Sequence, residues 1–257
     1  MVHIKAKVLA KIEVAIDIYK LRLSCPKIAA SVLPGQFVHV ECGKDREFIL
    51  RRPFSVHRRL GGNAFEILFQ VVGKGTRALA EIEKGDILDV IGPLGNGFEV
   101  SDTVKNTLLI AGGIGVAPLM FLAEKLFAGK IPFDVLIGCA NCKKAVPFDL
   151  QNIIKDRVFF ATDDGSLGFK GTVTELFLNH LKKNEKPDVI YTCGPKAMLK
   201  QVALIAEKHG IACFLSLEER MACGIGACLS CVCKTKSGQK RVCVDGPIFD
   251  ASEIIWE

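Results

Sequence analysis

The sequence has no low-complexity tract, no internal repeat and no block of like charge. With 49% hydrophobic and 24% charged residues it matches ordinary globular usage, which excludes a disordered, collagen-like or coiled-coil chain. Basic residues exceed acidic ones by 34 − 28 = 6, but they are scattered, so no nucleic-acid partner is expected. The longest uncharged run, 106–123, is broken by Gly112, Gly113, Gly115 and Pro118. It reads as strand, turn and helix rather than as a membrane span of about 20 residues. The first fifteen residues carry charges every few positions and lack the apolar stretch of a secretory leader, so a cytoplasmic chain with no membrane partner is expected. A Ser, His and Asp set with recognisable spacing is also missing, and the five histidines are scattered. Nucleophilic hydrolysis is unsupported, and no side chain is assigned as catalytic.

What is present is cysteine, eleven in all. An odd number without a leader points to metal or redox chemistry rather than a disulfide framework. Over residues 1–100 short β-rich runs alternate with turn residues at Pro34-Gly35, Gly61-Gly62 and Lys84-Gly85-Asp86, which predicts a small antiparallel barrel. Over 101–215 the period changes. Buried strands TLLIA, DVLIGCA, RVFFA, DVIYTCG and ACFLSL alternate with helical stretches near 116–128, 171–183 and 196–209. That alternation predicts a doubly wound parallel sheet, so the fold class is α/β plus β. The remainder, 216–257, holds five cysteines between Cys223 and Cys243 and too few large apolar side chains for a core of its own, so a metal centre is expected to replace one.

Three motifs carry chemistry. Cys223-x4-Cys228-x2-Cys231, followed by Cys243 after eleven residues, has the plant-type ligand spacing of a two-iron, two-sulfide (2Fe-2S) cluster. Gly224, Ile225, Gly226 and Ala227 can form a tight loop whose N–H groups face the sulfides. The alternative is a zinc site, which usually shows two Cys-x2-Cys pairs, whereas this segment has one. Cys233 would share a strand face with Cys231 and is taken as a spectator. The second motif is Arg52-Pro53-Phe54-Ser55, followed by Gly73-Lys74-Gly75-Thr76. A flavin dinucleotide needs a guanidinium for its pyrophosphate, hydroxyls and amides for other oxygens, and glycines for close approach. Taken alone the tetrapeptide reads as a surface arginine and a turn serine. The third is an apolar strand running into Gly112, Gly113, Ile114, Gly115, Val116, Ala117 and Pro118, with Cys193-Gly194-Pro195 after a later strand. Either a nucleotide phosphate sits at these turns or they are plain strand-to-helix connections. Asp163 and Asp164 follow another strand, either accepting from an adenosine ribose or simply solvated. Cys139-x2-Cys142 has no second pair and is read as structural.

In this order the motifs resemble the ferredoxin reductase family over the first 215 or so residues. More narrowly, LEERMACGIGACLSCVCKT with RVCVDGPIF resembles the electron-transfer subunits of NAD-dependent dihydroorotate dehydrogenases over nearly the whole chain. The resemblance implies an FAD-binding barrel (1–100), an NAD-binding α/β domain (101–215) and a cluster-binding segment (216–257). It implies FAD held by Arg52, Pro53, Phe54, Ser55, Leu68, Phe69, Gln70, Gly75 and Thr76. NAD would be framed by Gly112, Gly113, Ile114, Gly115, Cys193, Gly194 and Pro195, and iron ligated by Cys223, Cys228, Cys231 and Cys243. Phe54 and Gln70 depart from the family, where a smaller aliphatic and an arginine are expected. The partner implied is an FMN-containing dihydroorotate dehydrogenase catalytic subunit, two of each chain forming a heterotetramer in pyrimidine biosynthesis. Such a chain passes electrons from the partner's FMN through the cluster and FAD to NAD. The competing functions are a related reductase subunit, of sulfide dehydrogenase or transhydrogenase type, and a redox-inert nucleotide-binding scaffold with structural zinc. Relatives of the reductase kind often carry aspartate at one cluster position, where this sequence has four cysteines. Ile225, Leu229, Ile248 and Phe249 are expected either to face the partner or to pack beneath the cluster.

Overall fold

A computed structural model describes residues 1–43, 48–148, 150 and 154–256. Six antiparallel strands close a barrel: β1 (Val2–Ala15), β2 (Ile18–Ser24), β3 (Phe37–Val40), β4 (Arg52–Leu60), β5 (Ala64–Gln70) and β6 (Ile87–Leu94), in the order β1-β2-β5-β4-β3-β6. The long N-terminal run divides into β1 and β2 because Asp17 takes φ 61°, a left-handed turn that aspartate tolerates. Two short helices sit outside the strands, α1 (Pro26–Ala29) and α2 (Lys74–Glu81). The second begins inside the Gly73-Lys74-Gly75-Thr76 half of the flavin motif. Alternation puts Val38 and Val40, with Val56, Phe65 and Ile67, into the barrel core.

The second layer is a seven-stranded sheet in the order β10-β9-β8-β7-β11-β12-β15. Its strands are β7 (Thr107–Gly112), β8 (Phe133–Cys139), β9 (Val158–Thr162), β10 (Phe169–Lys170), β11 (Val189–Cys193) and β12 (Ala212–Ser216), all parallel. Helices α3 (Val116–Ala128), α4 (Val173–Lys183) and α5 (Lys196–Lys208) cover both faces. Along β7, Leu109 and Ala111 pack on the α3 side, and Leu108 and Ile110 on the side of α4 and α5. A strand covered on both faces needs an unbroken apolar run, which is what the sequence supplies. The barrel is fastened to α3 by the Arg58–Glu124 ion pair (2.6 Å) and by a contact between His57 Nδ1 and the Ala117 carbonyl (3.1 Å).

The cysteine segment forms a small hairpin, β13 (Val232–Thr235) with β14 (Gly238–Arg241), and then β15 (Ile248–Asp250). β15 pairs antiparallel with β12, so the sheet is parallel except at this edge. Cys231, Cys233, Val242, Cys243 and Phe249 belong to the same apolar cluster as α4 and α5. The segment therefore has no core of its own and shares that of the sheet. It also touches the barrel: the Asn96 N–H donates to the Gly246 carbonyl (2.7 Å), and the Asn96 amide to the carbonyls of Val244 and Asp245.

Candidate functional site: two joined clefts and a cysteine loop

β4, β5 and the chain after β12 enclose a cleft of about 490 Å³. Arg52, Pro53, Phe54 and Ser55 line one wall, Leu68, Phe69 and Gln70 another, and Thr76 closes an end. Phe54 sits against Phe69 with ring centroids 5.7 Å apart, filling the barrel top where a smaller side chain was expected. Arg52 lies over Gly75, where an added Cβ would approach its Nε to 3.3 Å, so the two halves of the flavin motif meet. The Thr76 hydroxyl is engaged locally, accepting from the N–H groups of Val72 (2.9 Å) and Gly73 (3.1 Å). Apolar walls with two guanidinium groups, Arg52 and Arg220, suit a flat ring system carrying a pyrophosphate.

A second cleft of about 300 Å³ opens beside the first, lined by Gly112, Gly113 and Ile114 on one side and Gly194, Pro195 and Lys196 on the other. The two glycine motifs, eighty residues apart, are pressed together here. A Cβ on Gly115 would fall 2.2 Å from the Cys193 carbonyl oxygen, and one on Gly112 2.5 Å from Met198 Sδ. Gly115 and Cys193 thus lie behind the cleft rather than in it. Cys193 is fully buried and its thiol is raised well above the ordinary range by burial. Asp163 and Asp164 stand beyond β9, outside the lining. Asp164 accepts from the Ser166 hydroxyl (2.6 Å) and amide (2.9 Å), which hold its carboxyl below the usual range. The Ser166 hydroxyl also accepts from the Cys142 N–H, so this turn is tied to Cys139-x2-Cys142.

Both clefts share Gln70, Ile114, Leu217, Glu218 and Glu219. Glu218 was not anticipated as a site residue, although it is the second residue of the LEERMACG segment that carries the resemblance. Its side chain is exposed at the opening of the clefts, and partial desolvation by the protein packed around it raises its carboxyl above the ordinary carboxylate range. A further hint in the sequence was its position, immediately after a buried strand at the carboxyl edge of the sheet.

Five residues beyond Glu218 the cysteine loop begins. Gly224 (φ +71°), Gly226 (φ +85°) and Leu229 (φ 59°) turn it sharply. The Ile225 N–H donates to Cys223 Sγ (3.4 Å), the Ser230 hydroxyl accepts from the Ala222 N–H (3.1 Å), and Arg241 reaches the Gly226 carbonyl (3.3 Å). The four cysteines lie near one another: Cys223 acts on Cys228, and both Cys231 and Cys223 act on Cys243. Ser230 hydrogen bonds, with Cys223 assisting, pull the Cys228 thiol down to about 6. Burial and Cys231 push Cys243 up to about 12, against the pull of the Gly226 amide. Among the described residues no three Cys, His, Asp or Glu side chains converge on one point as a single ion requires. Four cysteines in plant-type spacing within one short segment suit a dinuclear centre better than one zinc ion. Cys233 is buried beside Cys231 and Cys243 in the apolar cluster. Ile225 and Leu229 are 48% and 60% exposed, whereas Phe249 is buried and Ile248 half-buried in β15, so the four apolar residues divide between surface and core.

Residues 5–98 match the family model of the oxidoreductase FAD-binding domain, and residues 218–255 that of the iron-sulfur cluster binding domain of dihydroorotate dehydrogenase B. The electron transfer subunit of dihydroorotate dehydrogenase B (NAD(+)) from Desulforamulus reducens is 44% identical, and that from Caldanaerobacter subterraneus subsp. tengcongensis 38% identical. Each alignment covers 98% of this chain and 98% of the relative. Among solved structures, one of an NADH-dependent reduced ferredoxin-NADP oxidoreductase, described for flavin-based electron bifurcation, is 31% identical. It superposes with a TM-score of 0.86 over 98% of this chain and 90% of that one. Phthalate dioxygenase reductase, 19% identical over 92% of this chain and 87% of that one, shares the fold at a TM-score of 0.66.

Proposed function

The chain belongs to the family of electron transfer subunits of NAD(+)-dependent dihydroorotate dehydrogenase B, flavoprotein oxidoreductases with FAD-binding and iron-sulfur domains, and from that premise we propose how its own residues serve the transfer. Electrons from an FMN-containing catalytic partner enter at a 2Fe-2S cluster on Cys223, Cys228, Cys231 and Cys243 and leave to NAD by way of FAD, in an assembly of two copies of each chain. FAD, once bound, exchanges a hydride for single electrons, and the cluster carries electrons one at a time.

The chain's task is to bind and align. Arg52 supplies positive charge for the flavin pyrophosphate, and Ser55 and Gln70 supply polar atoms along the wall of the larger cleft. Gly112 and Gly113 let a dinucleotide approach the start of α3, whose free N–H groups favour phosphate. Glu218 stands where the two clefts open into each other. That shared opening is the observation that carries the reading, because hydride transfer requires the two ring systems to be in contact. Exposed Ile225 and Leu229 beside the cluster cysteines are assigned to the partner's docking surface. A cytoplasmic location is supported by eleven cysteines that all remain unpaired. Among the described residues no helix is long and apolar enough to cross a membrane.

The test is reconstitution. Purified anaerobically, the chain should contain one FAD and one cluster and oxidise NADH with artificial acceptors, yet leave dihydroorotate untouched. Adding the FMN-containing subunit should couple dihydroorotate oxidation to NAD reduction. Oxidation of dihydroorotate by the isolated chain, or a verified complex that passes nothing to NAD, would overturn the proposal. The likeness to the bifurcating oxidoreductase favours a second reading, a reductase subunit serving another redox assembly. The higher identity to the dihydroorotate dehydrogenase subunits, 44% against 31%, places it behind the first.

A further inference from the structure

His39 occupies β3 of the barrel, where alternation turns Val38 and Val40 into the barrel core and Phe37 outward among Cys231, Cys243 and Phe249. His39 shares the outward side with Phe37, yet it is completely buried. What covers it is the start of the cysteine loop: a Cβ on Gly224 would lie 2.6 Å from His39 Nδ1. Across the sheet its strand partner is Pro53, one residue from Arg52 and Phe54 in the wall of the larger cleft. One side chain thus stands between the flavin strand and the cluster loop. Neither ring nitrogen has a partner at full hydrogen-bond distance and angle among the described residues, although the backbones of Cys223 and Arg51 lie beside the ring. A buried polar ring of this kind calls for a hydrogen-bond partner. In either protonation state an imidazole keeps at least one N–H to donate.

We propose that His39 is a positioning residue of the iron-sulfur site, seating the turn at Cys223 and Gly224 on the flavin barrel and donating a hydrogen bond to the sulfur-bearing loop. The inference rests on the four-cysteine reading above. Gly224 is required at this contact for two reasons, its positive φ and the absence of room above the imidazole. Donors placed around ligating sulfurs stabilise the more negative, reduced state and raise the potential. The hydrogen-bonding side chain that tunes the cluster therefore comes from the barrel, not from the cysteine segment.

The full-length chain carrying His39→Leu or His39→Gln tests this by EPR-monitored redox titration, with iron, sulfide and FAD measured in parallel. His39→Leu should keep its FAD and lower the reduced-to-oxidised ratio of the cluster at fixed poise about tenfold, equivalent to about 59 mV for one electron. His39→Gln, which retains a donor, should recover more than half of that shift. A fully loaded His39→Leu with an unchanged midpoint would overturn the role. Should His39→Leu take up no cluster, His39→Gln decides: a wild-type midpoint supports the donor, and an equal loss of iron overturns it. If the unmodified chain holds FAD but no iron or sulfide, the four-cysteine reading itself falls and this inference with it.

Discussion

The chain makes two glycine-rich turns for ligands, and they are built by opposite means. The turn between β7 and α3 is enclosed, its conformation imposed by backbone pressed on backbone: Gly115 has the Cys193 carbonyl where a Cβ would be. The cysteine loop is open to solvent at Ile225 and Leu229 and is held by hooks from Ser230 and Arg241. The first is a by-product of closing the sheet. The second is exposed at its tip and anchored at its later end, where Cys231, Val242 and Cys243 are buried.

The sharpest way to break that contrast is to remove a ligand. Cys228→Ser should abolish most iron and sulfide while leaving FAD content unchanged, as read by metal analysis and flavin absorbance. Retention of stoichiometric iron would refute the ligand set. Next comes a pair of alanines. Gly115→Ala must displace the Cys193 backbone and should cost several kcal/mol, lowering the thermal midpoint by roughly 5 °C or more. Gly226→Ala meets side chains rather than backbone, Val244 at 2.6 Å and Arg241 Nη1 at 3.4 Å, at φ +85°. It should cut cluster content while shifting the melting of the barrel and sheet much less, by scanning calorimetry beside iron assays. If the two alanines destabilise equally, the enclosed and open turns are not different in kind.

Arg52→Ala should weaken FAD binding by about 1.5–3 kcal/mol, the worth of a charge-assisted contact, or roughly 10- to 150-fold in Kd. Flavin retention on gel filtration reads it directly. The smallest effect concerns the nucleotide. NAD should be preferred over NADP because a carboxylate at Asp163 repels a 2′-phosphate. Asp164, already bonded to Ser166, has less to offer. Asp163→Asn should narrow the preference severalfold in steady-state kcat/KM, and equal efficiency of the unmodified chain with both nucleotides would remove the basis for it.

Much of this architecture was legible in the order of residues. Strands β7, β8, β9, β11 and β12 and helix α3 lie within a residue or two of where the apolar runs place them, since a strand buried on both faces leaves a continuous signal. α2 was hidden because its first turn contains Gly75 and reads as a loop. β15 spans three residues, too few to show any period, and exists only because β12 offers it an edge.

The sequence by itself determined the chemistry available. Cysteine spacing is covalent information, and the glycine turns and the arginine beside the flavin wall are local demands that a short stretch of chain must satisfy alone. Only the tertiary structure decided which chemistries meet. Glu218 becomes the shared floor of two clefts because the end of β12 lies under both. His39, an ordinary outward residue in an alternating strand, becomes buried because a loop nearly two hundred residues later lies down on it. Local pattern reports the face on which a side chain stands. What covers that face is set by packing between distant segments, whose closure entropy and burial no local stretch encodes.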